Sequence, residues 1–299
     1  MKLKILITGG SGLLGYRWAD TMSNRYEVTV TSNRNEINLV GVKVIKLNLL
    51  ETETVLSTIK EVKPDLVVHT AAMSSVEECE IDPIKAYKLN VAAAKEVALA
   101  CAQLGSKLIH ISTDHLFKGV MPMLSEEALM NPINIYGKTK AQAEVIVGEV
   151  NPNALIIRTN FFGWAKSYKH SFSDRIINAL RSGQTIALFK DAYFSPIIME
   201  YLIQASHALM DKEACGIYNV VGDERISKYD FGLKLCDAFK LDQNLIIPSL
   251  LIDRNDLTIR PKDTSLDNRK LRSIVPEFMG DINNQIQYLI HSQLDNKKE

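Results

Sequence analysis

At 299 residues, with 35 basic and 35 acidic side chains, the chain has length for one large α/β domain or two smaller units and carries no net charge. The balance gives no support to nucleic-acid or anionic-membrane binding, which draw on a basic excess, and no apolar stretch approaches the roughly 18 residues that cross a bilayer. Cys79, Cys101, Cys215 and Cys236 form no Cys-x-x-Cys pair and the six histidines show no metal-ligand spacing, so reduced thiols, a cytoplasmic setting and no metal are expected.

Leu3 to Ile7 is an apolar run suited to a strand buried on both faces of a parallel sheet, and with a strand expected so early no signal peptide is expected. Gly9, Gly12 and Gly15 then turn the chain into a helix beginning near Leu13. A dinucleotide requires such a turn: glycines allow the tight bend, the close approach of backbone to pyrophosphate and close helix–strand packing. The helix N-terminus offers free N–H groups to the phosphates. Gly9, Ser11, Gly12, Leu13, Leu14 and Gly15 are therefore candidate cofactor residues.

A helix over Leu14 to Ser23 and a strand over Glu27 to Thr31 follow. No acid comes directly after that second strand, where a carboxylate would accept from the adenosine ribose and repel a 2′-phosphate. Ser32, Asn33 and Arg34 stand there instead, which favours NADPH, with NADH as the other possibility. Val42 to Asn48 reads as strand three, placing Asn48 and Leu49 near the adenine. Strand four, Leu66 to His69, opens into Ala71, Ala72 and Met73, small enough at the first two positions to clear a ribose. One long helix is expected from Pro83 to Leu104, then strand five, Lys107 to Ile111; His69 and His110 read as core residues at strand ends. Strands alternating with helices at this spacing predict an α/β, Rossmann-type, doubly wound parallel sheet.

Strand five ends in Ser112-Thr113-Asp114, at the sheet edge where α/β ligands bind. Tyr136 and Lys140 fall one turn apart if Tyr136 opens a helix. An ammonium near a phenol favours the phenolate, and a hydroxyl at Thr113 could hold a carbonyl against it. Thr113, Tyr136 and Lys140 are the candidate catalytic residues.

Leu155 to Arg158 reads as the sixth strand, and the aromatics of 161–164 suit either packing or a wall beside the ligands. Helices are expected over Ser173 to Arg181 and Met199 to Met210, a strand returning to the main sheet over Gly216 to Val221, and a helix from the Ser227 N-cap to about Phe239. Arg254, Arg260 and Lys262 are candidate phosphate contacts, Asp281 caps the last helix, and a polar tail runs from His291. This divides the chain into a cofactor-binding domain over 1–160, with later returns near 185–222, and a small interleaved substrate domain over 161–299.

Together these motifs resemble the extended short-chain dehydrogenase/reductases, in particular the dTDP-4-dehydrorhamnose reductase branch, over nearly the whole chain. The carriers are Thr8-Gly9-x-x-Gly12-x-x-Gly15, the segment Ala71 to Glu77, Asn90, Ser112-Thr113-Asp114-His115 and Asn134-x-Tyr136-Gly137-x-Thr139-Lys140. Ile157-Arg158-Thr159, Asp191 to Pro196 and Arg260-Pro261 through Asp267 are similar to further marks of the branch. The resemblance implies reduction of a nucleotide-linked 4-keto-6-deoxy sugar, with Tyr136 as acid. It also implies that Lys140 holds the nicotinamide ribose and lowers the tyrosine pKa, and that Asn90 and Met73 lie at the cofactor. Val76, Thr113, Asp114, His115, Phe161 and Arg260 would meet the substrate. His115 in place of the usual tyrosine, Phe161 in place of tryptophan, and Phe194 in a segment lacking its usual glycine depart from the branch where the sugar is selected. Two other readings share the motifs: an epimerase or dehydratase of the superfamily, and a non-catalytic NADP-binding subunit such as the methionine adenosyltransferase β subunit. A homodimer pairing the helices of 83–104 and 136–149 is possible on this reading.

Overall fold

The computed structural model describes residues 2–165 and 170–295. In chain order the first half runs β1 (Lys4–Thr8), α1 (Leu13–Met22), β2 (Glu27–Ser32), β3 (Lys43–Lys46), α2 (Glu53–Val62), β4 (Leu66–His69), α3 (Val76–Ile81), α4 (Pro83–Tyr87), α5 (Ala93–Leu104), β5 (Lys107–Ile111), α6 (Ile135–Val150) and β6 (Leu155–Arg158). The second half runs β7 (Phe161–Phe162), α7 (Phe172–Arg181), β8 (Ile186–Phe189), β9 (Tyr193–Phe194), β10 (Ile197–Ile198), α8 (Met199–Asp211), β11 (Gly216–Asn219), β12 (Ile226–Ser227), α9 (Lys228–Ala238), β13 (Ile246–Ser249), α10 (Arg269–Ile274) and α11 (Ile282–Asp295). The rest of the polar tail, 296–299, lies outside the described residues.

Seven strands form one parallel sheet in the order β11-β6-β5-β4-β1-β2-β3. Strand order reverses between β1 and β4, the place where such sheets open a crevice for ligands, and the glycine turn after β1 lies there. Alternation along the strands fills both faces. Ile5, Ile7, Val28, Val68 and Ile109 pack with Trp18 of α1 and Leu202 of α8, while Leu6, Val67 and Leu108 meet Val55 of α2, Val97 of α5 and Val147 of α6. At about 1.5–3 kcal/mol for each fully buried aliphatic or Phe side chain, these two layers dominate the stability of this half.

The single helix expected from Pro83 to Leu104 is divided. Asp82 caps α4, accepting from the Lys85 N–H at 2.9 Å, with Pro83 in the first turn. Lys88–Ala92 then widens into a π-turn before α5 resumes and ends on Gly105, at φ +70°. The alternation of small residues and leucines hides that widening, which Asn90 marks from inside (below). Helix α2 is an element that the sequence reading leaves unassigned.

Of the segments expected to return near 185–222, Gly216–Asn219 joins the main sheet beside β6, whereas Ile186–Phe189 pairs with β13. The second half has its own core, in which Phe162, Trp164, Phe194 and Phe231 pack with Ile177 of α7 and Leu289 of α11. Trp164 donates its indole N–H to the Leu289 carbonyl at 2.7 Å, so 162–164 serves packing. Ser171 closes a capping box with Asp174 at the start of α7, Ser227 caps α9, and Asp281 accepts from Asn284 at the start of α11.

Candidate active site

The glycine turn has the conformation that its residues require. Gly9 sits at φ +74°, and a Cβ there would lie 2.8 Å from the Ala71 Cα; a Cβ on Gly15 would lie 2.4 Å from the Gly9 carbonyl oxygen. Gly12 caps α1 without a side-chain hydrogen bond, and the first turn holds no acid. The opening N–H groups and positive end of α1 are thus left for an anion. They face a cleft of about 500 Å³ lined by Gly9, Ser11, Gly12, Leu13, Leu14 and Gly15 at one side, by Asn33, Arg34, Asn48 and Leu49 beyond β2 and β3, and by Ala71, Ala72, Ser112, Tyr136, Lys140 and Phe161 at the other. Asn33 donates to the Asn48 side chain at 3.2 Å, joining the two strand ends. A dinucleotide fits this donor set: a backbone cradle for pyrophosphate, a cation where a 2′-phosphate would lie, and small residues in the middle.

Three expected cofactor residues do other work. Ser32 turns its hydroxyl onto the Asn35 carbonyl. Asn90 is buried to 1 % exposure and grips the backbone of Met73 from both sides, accepting from its N–H at 2.7 Å and donating to its carbonyl at 3.1 Å. Its amide also donates to Thr139 at 3.0 Å. Asn90 therefore ties the loop carrying Ala71 and Ala72 to α6, and Met73 is the gripped residue.

Tyr136 and Lys140 share α6, whose N-cap Asn134 accepts from the Gly137 N–H at 2.8 Å. Burial pushes the Tyr136 phenol up to about 12, against a lowering effect of the neighbouring Thr113 hydroxyl. The expected lowering by Lys140 is not what this geometry gives. The ammonium is buried and directed to the end of β5, donating to the Ile111 carbonyl at 2.6 Å, and burial brings its pKa down to about 8. A phenol held at high pKa is fully protonated at neutral pH, the form that donates a proton.

Asp114 is 2 % exposed and accepts from Asn160 at 2.6 Å; the His115 ring stands edge-on to Tyr136 at 5.7 Å. Burial lowers the His115 pKa, with Asp114 opposing. His115 and Asn160 open a second cavity, of about 380 Å³, whose other walls include Phe172, Arg175, Lys228 and Arg260. Arg260 pairs with Glu77 of α3. Arg254 pairs with Asp256 on the surface and Lys262 lies 3.7 Å from Asp191. Val76 is buried as the first residue of α3 and lines neither cavity. Phe161 is on the first cleft, not the second.

Arg175 and Lys228 escaped sequence reasoning. The Lys228 ammonium stands 3.2 Å from the Phe194 ring centroid and 4.8 Å from that of Phe172, and burial lowers its pKa to about 7, against the pull of Asp114. Its one sequence signal was its place directly after the Ser227 cap. Among the described residues no group of three or more His, Cys, Asp or Glu could hold a metal ion, and no helix is long and apolar enough to cross a membrane.

A doubly wound sheet, a glycine turn at its switch point, and a Thr–Tyr–Lys set at the strand ends define an extended short-chain dehydrogenase/reductase. The model of the RmlD substrate binding domain family matches residues 2–292, and the chain belongs to that family. It is 30% identical to the probable low-salt glycan biosynthesis reductase of Haloferax volcanii, over 87% of this chain and 88% of that protein. It is also 30% identical to methionine adenosyltransferase 2 subunit beta of Rattus norvegicus, over 91% of this chain and 82% of that one. Its fold superposes on dTDP-4-dehydrorhamnose reductase from Bacillus anthracis, solved in complex with NADP, with a TM-score of 0.83 at 25% identity, covering 98% of this chain and all of the other.

Proposed function

We propose that the chain uses NADPH to reduce a nucleotide-linked 4-keto-6-deoxy sugar to the 4-hydroxy sugar. The observation that carries this reading is the placement of Tyr136 on the dinucleotide cleft and against His115, which opens the cationic cavity. His115, Arg175, Lys228 and Arg260 in one cavity suit a substrate bearing a diphosphate. Residues 1–160 would hold the cofactor and 161–299 chiefly the sugar nucleotide.

Bound NADPH supplies hydride to the carbonyl carbon. Arg34 and Asn33 would hold the 2′-phosphate, with NADH the weaker alternative; the backbone of Gly9 to Leu13 would hold the pyrophosphate, and Lys140 the nicotinamide ribose. Thr113 donates to the carbonyl oxygen and orients it, and Tyr136 transfers its phenolic proton to that oxygen. The resulting phenolate regains a proton from solvent. Asp114, held by Asn160, fixes the strand end beside His115. The free thiols suit a cytoplasmic enzyme. Exposed Ile84, Tyr87 and Val145 on α4 and α6 support helix pairing in a homodimer, which sedimentation would read.

The test is oxidation of NADPH and NADH by the purified chain with dTDP-4-keto-6-deoxy-L-mannose and a panel of other keto sugars, with Tyr136→Phe as control. The proposal expects NADPH-preferring turnover that falls by about 10²–10⁴ in the variant. The likeness to the adenosyltransferase subunit gives the second reading its observation. Cofactor binding without turnover on the whole panel, together with association with a methionine adenosyltransferase, would establish that reading instead.

A further inference from the structure

A polar row crosses the sheet under Lys140. Thr8, His69 and His110 are level neighbours on β1, β4 and β5, on the face otherwise filled by Leu6, Val67 and Leu108. All three are 1 % exposed. The Thr8 hydroxyl meets His69 Nδ1 at 2.7 Å, the two imidazoles stack at 5.4 Å, and His110 Nε2 lies 3.5 Å from Lys140 Nζ. Three polar side chains in an apolar layer cost desolvation that valine or leucine would not. A buried ammonium beside them gives the row a use.

We propose that His110 is a positioning residue for Lys140, accepting one ammonium proton at Nε2 and so fixing both the direction and the charge of the lysine. An ammonium has three protons and no acceptor. One goes to the Ile111 carbonyl and one to His110 Nε2, which leaves the third for the cleft that Lys140 lines. A neutral imidazole has one acceptor nitrogen, so the bond requires the proton of His110 on Nδ1. Burial and the lysine charge keep His110 well below its ordinary pKa, and its acceptor persists at neutral pH. The remaining charged and titratable groups around Lys140 are Tyr136 and Glu144 on its own helix, His69 behind His110, and Arg158 on β6, which binds Glu144 through two guanidinium nitrogens. Glu144 is thereby engaged elsewhere, and His110 supplies the side-chain acceptor that the ammonium has beside the Ile111 carbonyl.

The inference rests on Lys140 serving the cofactor, yet its test begins with the full chain alone, so the two readings fail separately. Long-range proton–nitrogen NMR reads the His110 tautomer, and a titration reads the Lys140 ammonium, in the unsubstituted chain, His110→Phe and His110→Gln. The Nδ1–H tautomer is expected. So is loss of the Lys140 proton at about tenfold higher proton concentration in His110→Phe, with recovery in His110→Gln, whose amide oxygen reaches the Nε2 position. The alkaline limb of kcat/KM should move in parallel. An Nε2–H tautomer in the unsubstituted chain overturns the inference without any variant having to fold. An unmoved lysine titration in His110→Phe does the same, even if activity falls, because a merely structural histidine would lower stability and leave that midpoint in place.

Discussion

Replacing Asn90 by alanine separates a residue that touches the cofactor from one that holds the loop around it. The substitution removes three hydrogen bonds, of 2.7, 3.1 and 3.0 Å, around a side chain that is 1 % exposed. It leaves the Met73 N–H unpaired, while the Met73 carbonyl keeps Cys79 and the Thr139 hydroxyl keeps the Tyr136 carbonyl. At about 1 kcal/mol for each bond, with more for a buried donor left unpaired, the loss is about 3–4 kcal/mol. For a chain of 299 residues that corresponds to a melting temperature lower by about 6 °C. Because the lost bonds anchor the loop of Ala71 and Ala72, NADPH affinity should fall as well. Urea unfolding and fluorescence titration with NADPH read the two effects. Unchanged unfolding with weakened binding would refute the reasoning and return Asn90 to the cofactor.

Arg34→Ala should weaken NADPH binding about tenfold, a loss of about 1.4 kcal/mol, and leave NADH binding unchanged; equal losses would place the arginine elsewhere than at a 2′-phosphate. Lys228 carries its charge below about pH 7 and loses it above, so KM for an anionic sugar nucleotide should rise as pH climbs through 7, with the step abolished in Lys228→Met. Glu144→Ala strands Arg158, which is 1 % exposed and donates to both carboxylate oxygens at 2.8–3.1 Å. Removing one partner of such a pair should cost about 3–5 kcal/mol in urea unfolding.

The cofactor half was legible because its signals are local. An apolar strand, glycines at three-residue spacing and a helix follow one another between Lys4 and Met22, and Tyr136 and Lys140 fall on one helix face by spacing alone. The cationic cavity was legible only in part: the resemblance gave His115 and Arg260 as substrate contacts, and nothing gave Arg175 and Lys228. His115, Arg175, Lys228 and Arg260 come from four separate segments, and only packing of the second core brings them together. Arg254 and Lys262 look the same in sequence as Arg260 but line neither cavity. The direction of the Tyr136 shift was also hidden, since proximity in a helix says nothing about where a lysine points. Once Ile111 and His110 take two of the Lys140 protons, desolvation governs the phenol.

The seating of β11 beside β6 has a consequence for synthesis. All of β6 is buried, and its outer edge is covered by Gly216–Asn219, which follow Arg158 by more than fifty residues. As the chain leaves the ribosome, five strands of the nucleotide-binding sheet and then β6 can assemble, but the last edge stays open until the intervening lobe has been made. An uncovered, apolar strand edge invites pairing with other chains. The nascent protein thus passes through a stage at which a chaperone has most to protect, and a fragment ending near residue 160 would carry that exposed edge permanently.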